Sequence, residues 1–158
     1  MSTPAIQFLI ERRLPFEVVS YEHLEKGAAF AARATGFPLE RTVKTLVVAA
    51  GPQRNVLVLV PGDRRLDLRR LARVLAAKKA GLAAALTAER LTGYPVGGIS
   101  PFGVRQLLPV VMDRAILSRG QVLVNAGRRG VMLKMSAQDI RAGLDCMVAA
   151  VSASQRGS

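Results

Sequence analysis

Apolar and polar positions follow two rhythms along this chain, and the switches between them mark its elements. Thr3 before Pro4 makes an N-cap with proline at the first helical position, and Ile6, Leu9 and Ile10 continue a one-faced pattern that predicts a helix ending near Arg13. Leu14-Pro15 breaks it. Residues 16–21 read as a strand, with Phe16, Val18 and Ser20 on one face and Glu17, Val19 and Tyr21 on the other. Small residues from Ala28 to Thr35 predict a helix closed by Gly36. In residues 42–50 the period of two puts Lys44 on the same face as Leu46, Val48 and Ala50.

A hairpin loop at 51–55 leads into a strand over 56–60, and Pro61-Gly62-Asp63 turns the chain again. Asp67 caps a helix over 68–77 that buries Leu68, Leu71, Ala72 and Leu75 and exposes Arg69, Arg70 and Arg73. Residues 82–86 form a short strand, and Thr87 caps a brief helix that stops at Gly93. Strands follow at 107–112, 121–125 and 131–135, the last two bracketing a hairpin whose tip carries Arg128 and Arg129. Ser136 and Asp139 resemble a capping box for a helix over 137–144, and the tail over 151–158 is expected to be disordered. With no internal repeat or linker, the pattern is one mixed α/β domain over residues 1–150.

Composition narrows the partners. Half of the 158 residues are apolar, enough to bury a core without disulfide or metal staples. Cys146 is the only cysteine and His23 the only histidine, so an intramolecular disulfide is excluded and neither a cysteine zinc cluster nor a multi-histidine metal site is expected. A cytoplasmic location follows from the cysteine usage, with no signal peptide and no stretch of transmembrane length. Twenty-three Lys and Arg against eleven Asp and Glu give a formal charge of +12, which favours a polyanion such as nucleic acid, ahead of an anionic membrane or a phosphorylated small molecule.

Familiar enzyme motifs are missing: no dinucleotide glycine turn, phosphate loop, zinc helix or nucleophile elbow. What remains is a lysine on an apolar strand face and a glycine-rich loop. Lys44 either snorkels to the sheet end or enters a pocket, where desolvation lowers its pKa. The uncharged stretch Thr92 to Gly103 holds four glycines and two prolines. It is either a tight connection or a shaped loop whose Gly97 and Gly98 amides, with Ser100 nearby, bind a ligand oxygen. The Arg69, Arg70, Lys78 and Lys79 flank is either a solvated helix face or a phosphate-contacting surface.

Several short motifs stand in an order that resembles the YbaK-like aminoacyl-tRNA deacylases, relatives of the editing domain inserted in bacterial prolyl-tRNA synthetases. They are Thr3-Pro4-Ala5, Ser20-Tyr21-Glu22-His23, Val43-Lys44-Thr45-Leu46-Val47, Leu66 to Ala72, Thr92-Gly93-Tyr94 with Val96 to Pro101, and Gly127-Arg128-Arg129-Gly130. The resemblance covers about Thr3 to Leu144. It implies a compact, mostly antiparallel mixed sheet of about seven strands wrapped by helices, and hydrolysis of the ester joining a wrong small amino acid to tRNA, most simply tRNA(Pro), without a cofactor. Lys44 falls on the family's functional lysine, Tyr21 on a pocket tyrosine, and Gly97 with Pro101 on its Gly-x-x-x-Pro loop.

The substrate-contacting set is then Tyr21, His23, Phe30, Thr45, Tyr94, Ile99, Ser100, Pro101 and Met132, with Lys44, Gly97 and Gly98 at the chemistry. The RNA-contacting set is Arg69, Arg70, Lys78, Lys79, Arg105, Arg128 and Arg129. Partners would be the acceptor end of aminoacylated tRNA and prolyl-tRNA synthetase. One position departs: Met132 stands where the branch resembling Cys-tRNA(Pro) deacylases carries aspartate, which leaves alanyl, seryl and other small esters open as substrates. The competing class is a non-catalytic tRNA-binding module of the same fold, and a third is an enzyme acting on a small phosphorylated or acylated metabolite.

Overall fold

The computed structural model describes residues 2–155. Helix α1 (Pro4–Glu11) starts as its capping chemistry requires: the Thr3 hydroxyl accepts from the Ile6 N–H at 3.2 Å and donates to the Ala126 carbonyl at 2.6 Å. One side chain thus caps the helix and fastens it to a distant strand. Helix α2 (Ala28–Thr35) closes at Gly36 in the left-handed region, as expected. Helix α3 (Leu68–Val74) has the expected Asp67 cap and is shorter than 68–77. Ala76 takes φ 54°, and the Ala77 N–H returns to the Ala72 carbonyl at 2.8 Å, ending the helix. Thr87, expected as a cap, lies inside α4 (Ala85–Thr92), where Ala84 holds the N-cap position without a side-chain bond. Ser136 caps α5 (Ala137–Leu144) through the Gln138 N–H.

In chain order the strands are β1 (Glu17–Ser20), β2 (Val43–Ala49), β3 (Asn55–Pro61), β4 (Arg64–Leu66), β5 (Gly81–Leu82), β6 (Val110–Asp113), β7 (Gln121–Arg128), β8 (Val131–Ser136), β9 (Met147–Ala149) and β10 (Ser152–Ser154). The fold is the mixed α/β single domain expected, with ten strands among the described residues where about seven were read. A five-stranded sheet runs β5-β2-β3-β6-β9, a three-stranded sheet runs β1-β8-β7, and β4 pairs with β10. Only β3–β6 and β6–β9 are parallel pairs among these strands. The strands missed, β4, β9 and β10, are three residues long each, too short for a period to register, and the strand expected over 82–86 is corrected to Gly81–Leu82 because α4 begins at Ala85.

Both faces of the larger sheet are covered. Val43, Val47, Leu57 and Leu59 meet α1, α4 and the smaller sheet in the main core, while Val48, Val58 and Val60 meet Leu71 of α3 and Leu75 at its C-cap. Lys44 stands opposite Val60, on the α3 face, as its strand period requires.

The tail expectation is corrected over 151–154. Val151 is fully buried, and Ser152–Ser154 pair with Leu66, Arg65 and Arg64 of β4. Long-range polar bonds hold this segment. The buried Asp113 carboxylate accepts from the Val151 N–H at 2.9 Å and the Ser152 hydroxyl at 2.8 Å, and Arg64 donates to the Ser152 hydroxyl at 2.6 Å and its carbonyl at 3.1 Å. Residues 156–158 lie outside the described residues.

Candidate active site

A cleft of about 390 Å³ opens along the free edge of β2. The edge is free for a countable reason. The Gly62 N–H bonds to the Thr42 carbonyl and the Ala50 N–H to the Arg54 carbonyl, so even-numbered residues of β2 turn their backbone toward β3. Odd-numbered ones turn away, as the bond from the Ala83 N–H to the Val47 carbonyl shows. β5 pairs only with Val48 and Ala49, and β7 meets this edge only at Thr42 through Leu123. Between these two closures the backbone of Thr45 faces the cleft with no strand beside it. Its hydroxyl is buried and has no hydrogen-bond partner among the described residues.

Lys44 lines the same cleft, half buried, and its Nζ donates to the Arg64 carbonyl at 2.5 Å. Burial lowers its pKa from the usual 10.5, and the nearby Asp63 carboxylate works against that shift. Asp63 is itself engaged by Arg119 at 2.7 Å. Lys26 is a second lysine of the lining, and no carboxylate belongs to it. The cleft lining thus holds two lysines and no carboxylate, with the Lys44 ammonium bonded to the Arg64 carbonyl at its border. Its walls are Tyr21, Ala28, Ala31, Ala85, Ala88, Ile99 and Met132, small or apolar, with Asn125 as a polar interruption. Burial pushes the Tyr21 phenol up, keeping it a neutral hydroxyl at physiological pH. Met132, 2% exposed, packs with Ala31 and Leu123.

The glycine-rich segment is a shaped loop, and its shape comes from contacts with the β7–β8 hairpin. A Cβ on Gly98 would lie 2.8 Å from the Arg129 amide nitrogen, closer than atoms tolerate, so glycine alone lets the loop seat there. The Arg129 Nε then donates to the Val96 carbonyl at 2.8 Å, while the Val96 N–H donates to Glu89 of α4 at 2.8 Å. Gly97 lines the cleft with φ at +92°. The Gly98 N–H already donates to the Pro95 carbonyl at 2.9 Å. Of the two amides expected at the chemistry, only that of Gly97 is free of a backbone acceptor among the described residues.

The cleft gathers Tyr21, Lys44, Thr45, Gly97, Ile99 and Met132 from the sequence-derived candidates. Others shape it from outside the lining. Tyr94 is 3% exposed and donates to the Phe102 carbonyl at 2.5 Å, and the Ser100 hydroxyl accepts from the Phe102 N–H at 3.2 Å. These bonds fold the loop back on itself beside the buried Pro101. The Phe30 ring backs Tyr21 at a centroid distance of 6.2 Å, and His23 packs near Gly130 with its Nδ1 buried and without a partner among the described residues. Lys26, Val96 and Asn125 were missed. Asn125 carried a readable signal, an amide in an otherwise apolar strand; Lys26 carried none.

The basic candidates divide as well. Arg129 is bound to the loop, Arg70 to Asp67 and the Ser152 carbonyl, and Arg105 lies over Gly93, whereas Arg69, Lys78 and Lys79 share an open groove beside α3. Among the described residues, no three His, Cys, Asp or Glu side chains gather as a metal site, and no helix is long and apolar enough to cross a membrane.

Comparison with known proteins bears out the resemblance read from the motifs. A family model described as an aminoacyl-tRNA editing domain matches residues 24–142. An Enterococcus faecalis protein, EbsC, provisionally named a Cys-tRNA(Pro)/Cys-tRNA(Cys) deacylase, is 28% identical over 142 residues, covering 87% of this chain and 85% of that one. The Escherichia coli K12 protein named multifunctional Ser/Thr-tRNA deacylase ProXp-y is 30% identical over 135 residues, 82% of this chain and 80% of its own. A crystal structure titled as a provisional trans-editing enzyme for prolyl tRNA synthetase superposes with a TM-score of 0.86 at 27% identity, covering 97% of this chain and 99% of that one.

Proposed function

The chain belongs to the aminoacyl-tRNA editing domain family, and we propose that it is a trans-editing deacylase that hydrolyses the ester joining a wrong small amino acid to the 3′ end of tRNA, with cysteinyl-, alanyl- and seryl-tRNA(Pro) as first candidates. The observation that carries this is the charge of the cleft. Attack on an ester carbonyl builds negative charge on its oxygen, and a lining with two lysines and no carboxylate complements that transition state better than the neutral ester.

The acyl group would lie against the free edge of β2, its polar atoms meeting the Thr45 backbone and hydroxyl. The Gly97 amide would donate to the developing oxyanion, a contact worth about 3 kcal/mol in the transition state. Lys44, held as a donor on the Arg64 carbonyl, would position the ester and stabilise charge. The attacking group would be water, or a hydroxyl or thiol of the substrate itself. Tyr21, Ala28, Ala31 and Met132 would exclude larger side chains by shape, since one methylene alone discriminates by only ~1–3 kcal/mol. Met132 presents an apolar wall where the Cys-deacylase branch has a carboxylate, which supports testing alanyl and seryl esters beside the cysteinyl one. Such an enzyme would act in the cytoplasm, alongside prolyl-tRNA synthetase.

The test is deacylation, at substoichiometric protein, of tRNA(Pro) charged separately with cysteine, alanine, serine and proline. Loss of one non-cognate amino acid, abolished in Lys44→Ala with Pro-tRNA(Pro) spared, is the expected result. Protection without turnover on every substrate would overturn it in favour of a binding module.

A further inference from the structure

Four cations gather beside α3 with no counterion among the described residues. Arg69 and Arg73, one helical turn apart, line an open groove with Lys78 and Lys79 of the following segment, over the apolar surface of Leu68 and Ala80. All four are exposed, and the two ion pairs among the described residues, Arg70–Asp67 and Arg119–Asp63, include none of them. An unneutralised cluster on a chain of net charge +12 attracts a polyanion through counterion release.

The groove opens beside the cleft. Ala80 lines the one and Leu82 lines the other, and two residues of chain span at most roughly 7 Å. At that junction Leu82 is 62% exposed and Leu86 81% exposed, while Ala83 and Ala85 turn into the cleft. An apolar step between an acyl cleft and a bed of free cations suits a nucleotide chain, with apolar surface for a base and cations for phosphates.

We propose that the single-stranded 3′ end of the substrate RNA leaves the cleft over Leu82 and Leu86 and lays its phosphates along Arg69, Arg73, Lys78 and Lys79. The direction of this track rests on the deacylase reading; the RNA-binding surface does not. Arg129 and Arg70, exposed but already bonded to the Val96 carbonyl and to Asp67 and the Ser152 carbonyl, stand off the track.

The experiment is fluorescence anisotropy with an uncharged RNA hairpin ending in single-stranded CCA, titrated at several salt concentrations. Lys78→Ala/Lys79→Ala should weaken binding at least tenfold and reduce the salt slope by about 1.4, since each lost single-strand phosphate contact removes about 0.7. Leu82→Ser/Leu86→Ser should weaken binding several-fold with the slope unchanged. Arg54→Ala/Arg114→Ala removes the same charge from exposed positions off the groove and should change affinity less than twofold. Equal weakening by both cation pairs would mean that net charge alone acts, and would overturn the track. So would wild-type affinity in the lysine pair, or no binding by the parent. Deacylation is read separately: a protein that binds as expected and hydrolyses no aminoacyl-tRNA keeps the track and loses the deacylase reading.

Discussion

Lys44 donates from Nζ to the backbone carbonyl of Arg64 at 2.5 Å, and the Arg64 side chain is gripped by Ser152 at the far end of the chain. The position of the candidate catalytic ammonium therefore depends on a two-stranded sheet built by the last described residues. It also depends on burial, which lowers the Lys44 pKa.

The sign of that shift makes it testable. With the folded pKa below the usual 10.5, the unfolded chain binds more protons between the two values, so stability rises with pH across that window and the burial penalty is fully present below it. Lys44→Met is expected to be more stable than the parent at neutral pH, with the gap closing as pH approaches 10.5 in urea titrations, while deacylation falls at least about a hundredfold. A gap independent of pH would show that folding does not lower the Lys44 pKa.

Asp113→Ala leaves the Val151 N–H and the Ser152 hydroxyl without their acceptor at a site 2% exposed. The expected loss is about 2–3 kcal/mol in thermal or urea unfolding. Because β10 supports Arg64, kcat should fall as well, although Asp113 does not line the cleft.

Gly98→Ala drives a methyl group into the Arg128–Arg129 backbone, 2.8–2.9 Å away. Overpacking of this kind costs about 1–3 kcal/mol. The loop should lift from the hairpin and carry Gly97 with it, so deacylation at saturating substrate is expected to drop at least tenfold.

Ala28→Leu enlarges a wall residue that is partly exposed, so little stability should be lost. The ratio of kcat/KM for alanyl over cysteinyl or seryl ester should rise about tenfold, the range in which pocket sterics discriminate. Equal losses on all substrates would mean that Ala28 does not face the amino-acid side chain.

Cys146 is inert. Burial pushes its thiol up from the usual 9.0 to about 12, so alkylation at pH 8 should run roughly a thousandfold slower in the native protein than in urea.

Local chemistry was enough for α1, α2 and α5, whose caps and stops at Thr3, Gly36 and Ser136 are satisfied within a few residues of themselves. It was enough for the face of β2 that carries Lys44, because a strand's period of two is a property of the backbone. The ordered set of short motifs was enough to point to the editing family. It failed at β10, where the polar letters Ser152 and Ser154 looked like a solvated tail until Asp113 and Arg64, 39 and 88 residues away from Ser152, claimed its hydroxyl.

The site divides along the same line. Lys44 and Gly97 were legible from residue type and spacing, and the resemblance supplied their roles. Only the tertiary structure separated Gly98, whose amide is already bonded within the turn, from Gly97, and Tyr94 and Ser100, which shape the loop, from Thr45, whose backbone lies open. Only it separated the arginines bonded to the protein's own carbonyls and carboxylates from the four cations beside α3 that enter no ion pair among the described residues. Periodicity and capping are settled by neighbours in the chain. Which donor remains unpaired is settled by where β5 stops along β2 and where the hairpin meets the glycine loop, contacts that exist only once segments distant in sequence have packed.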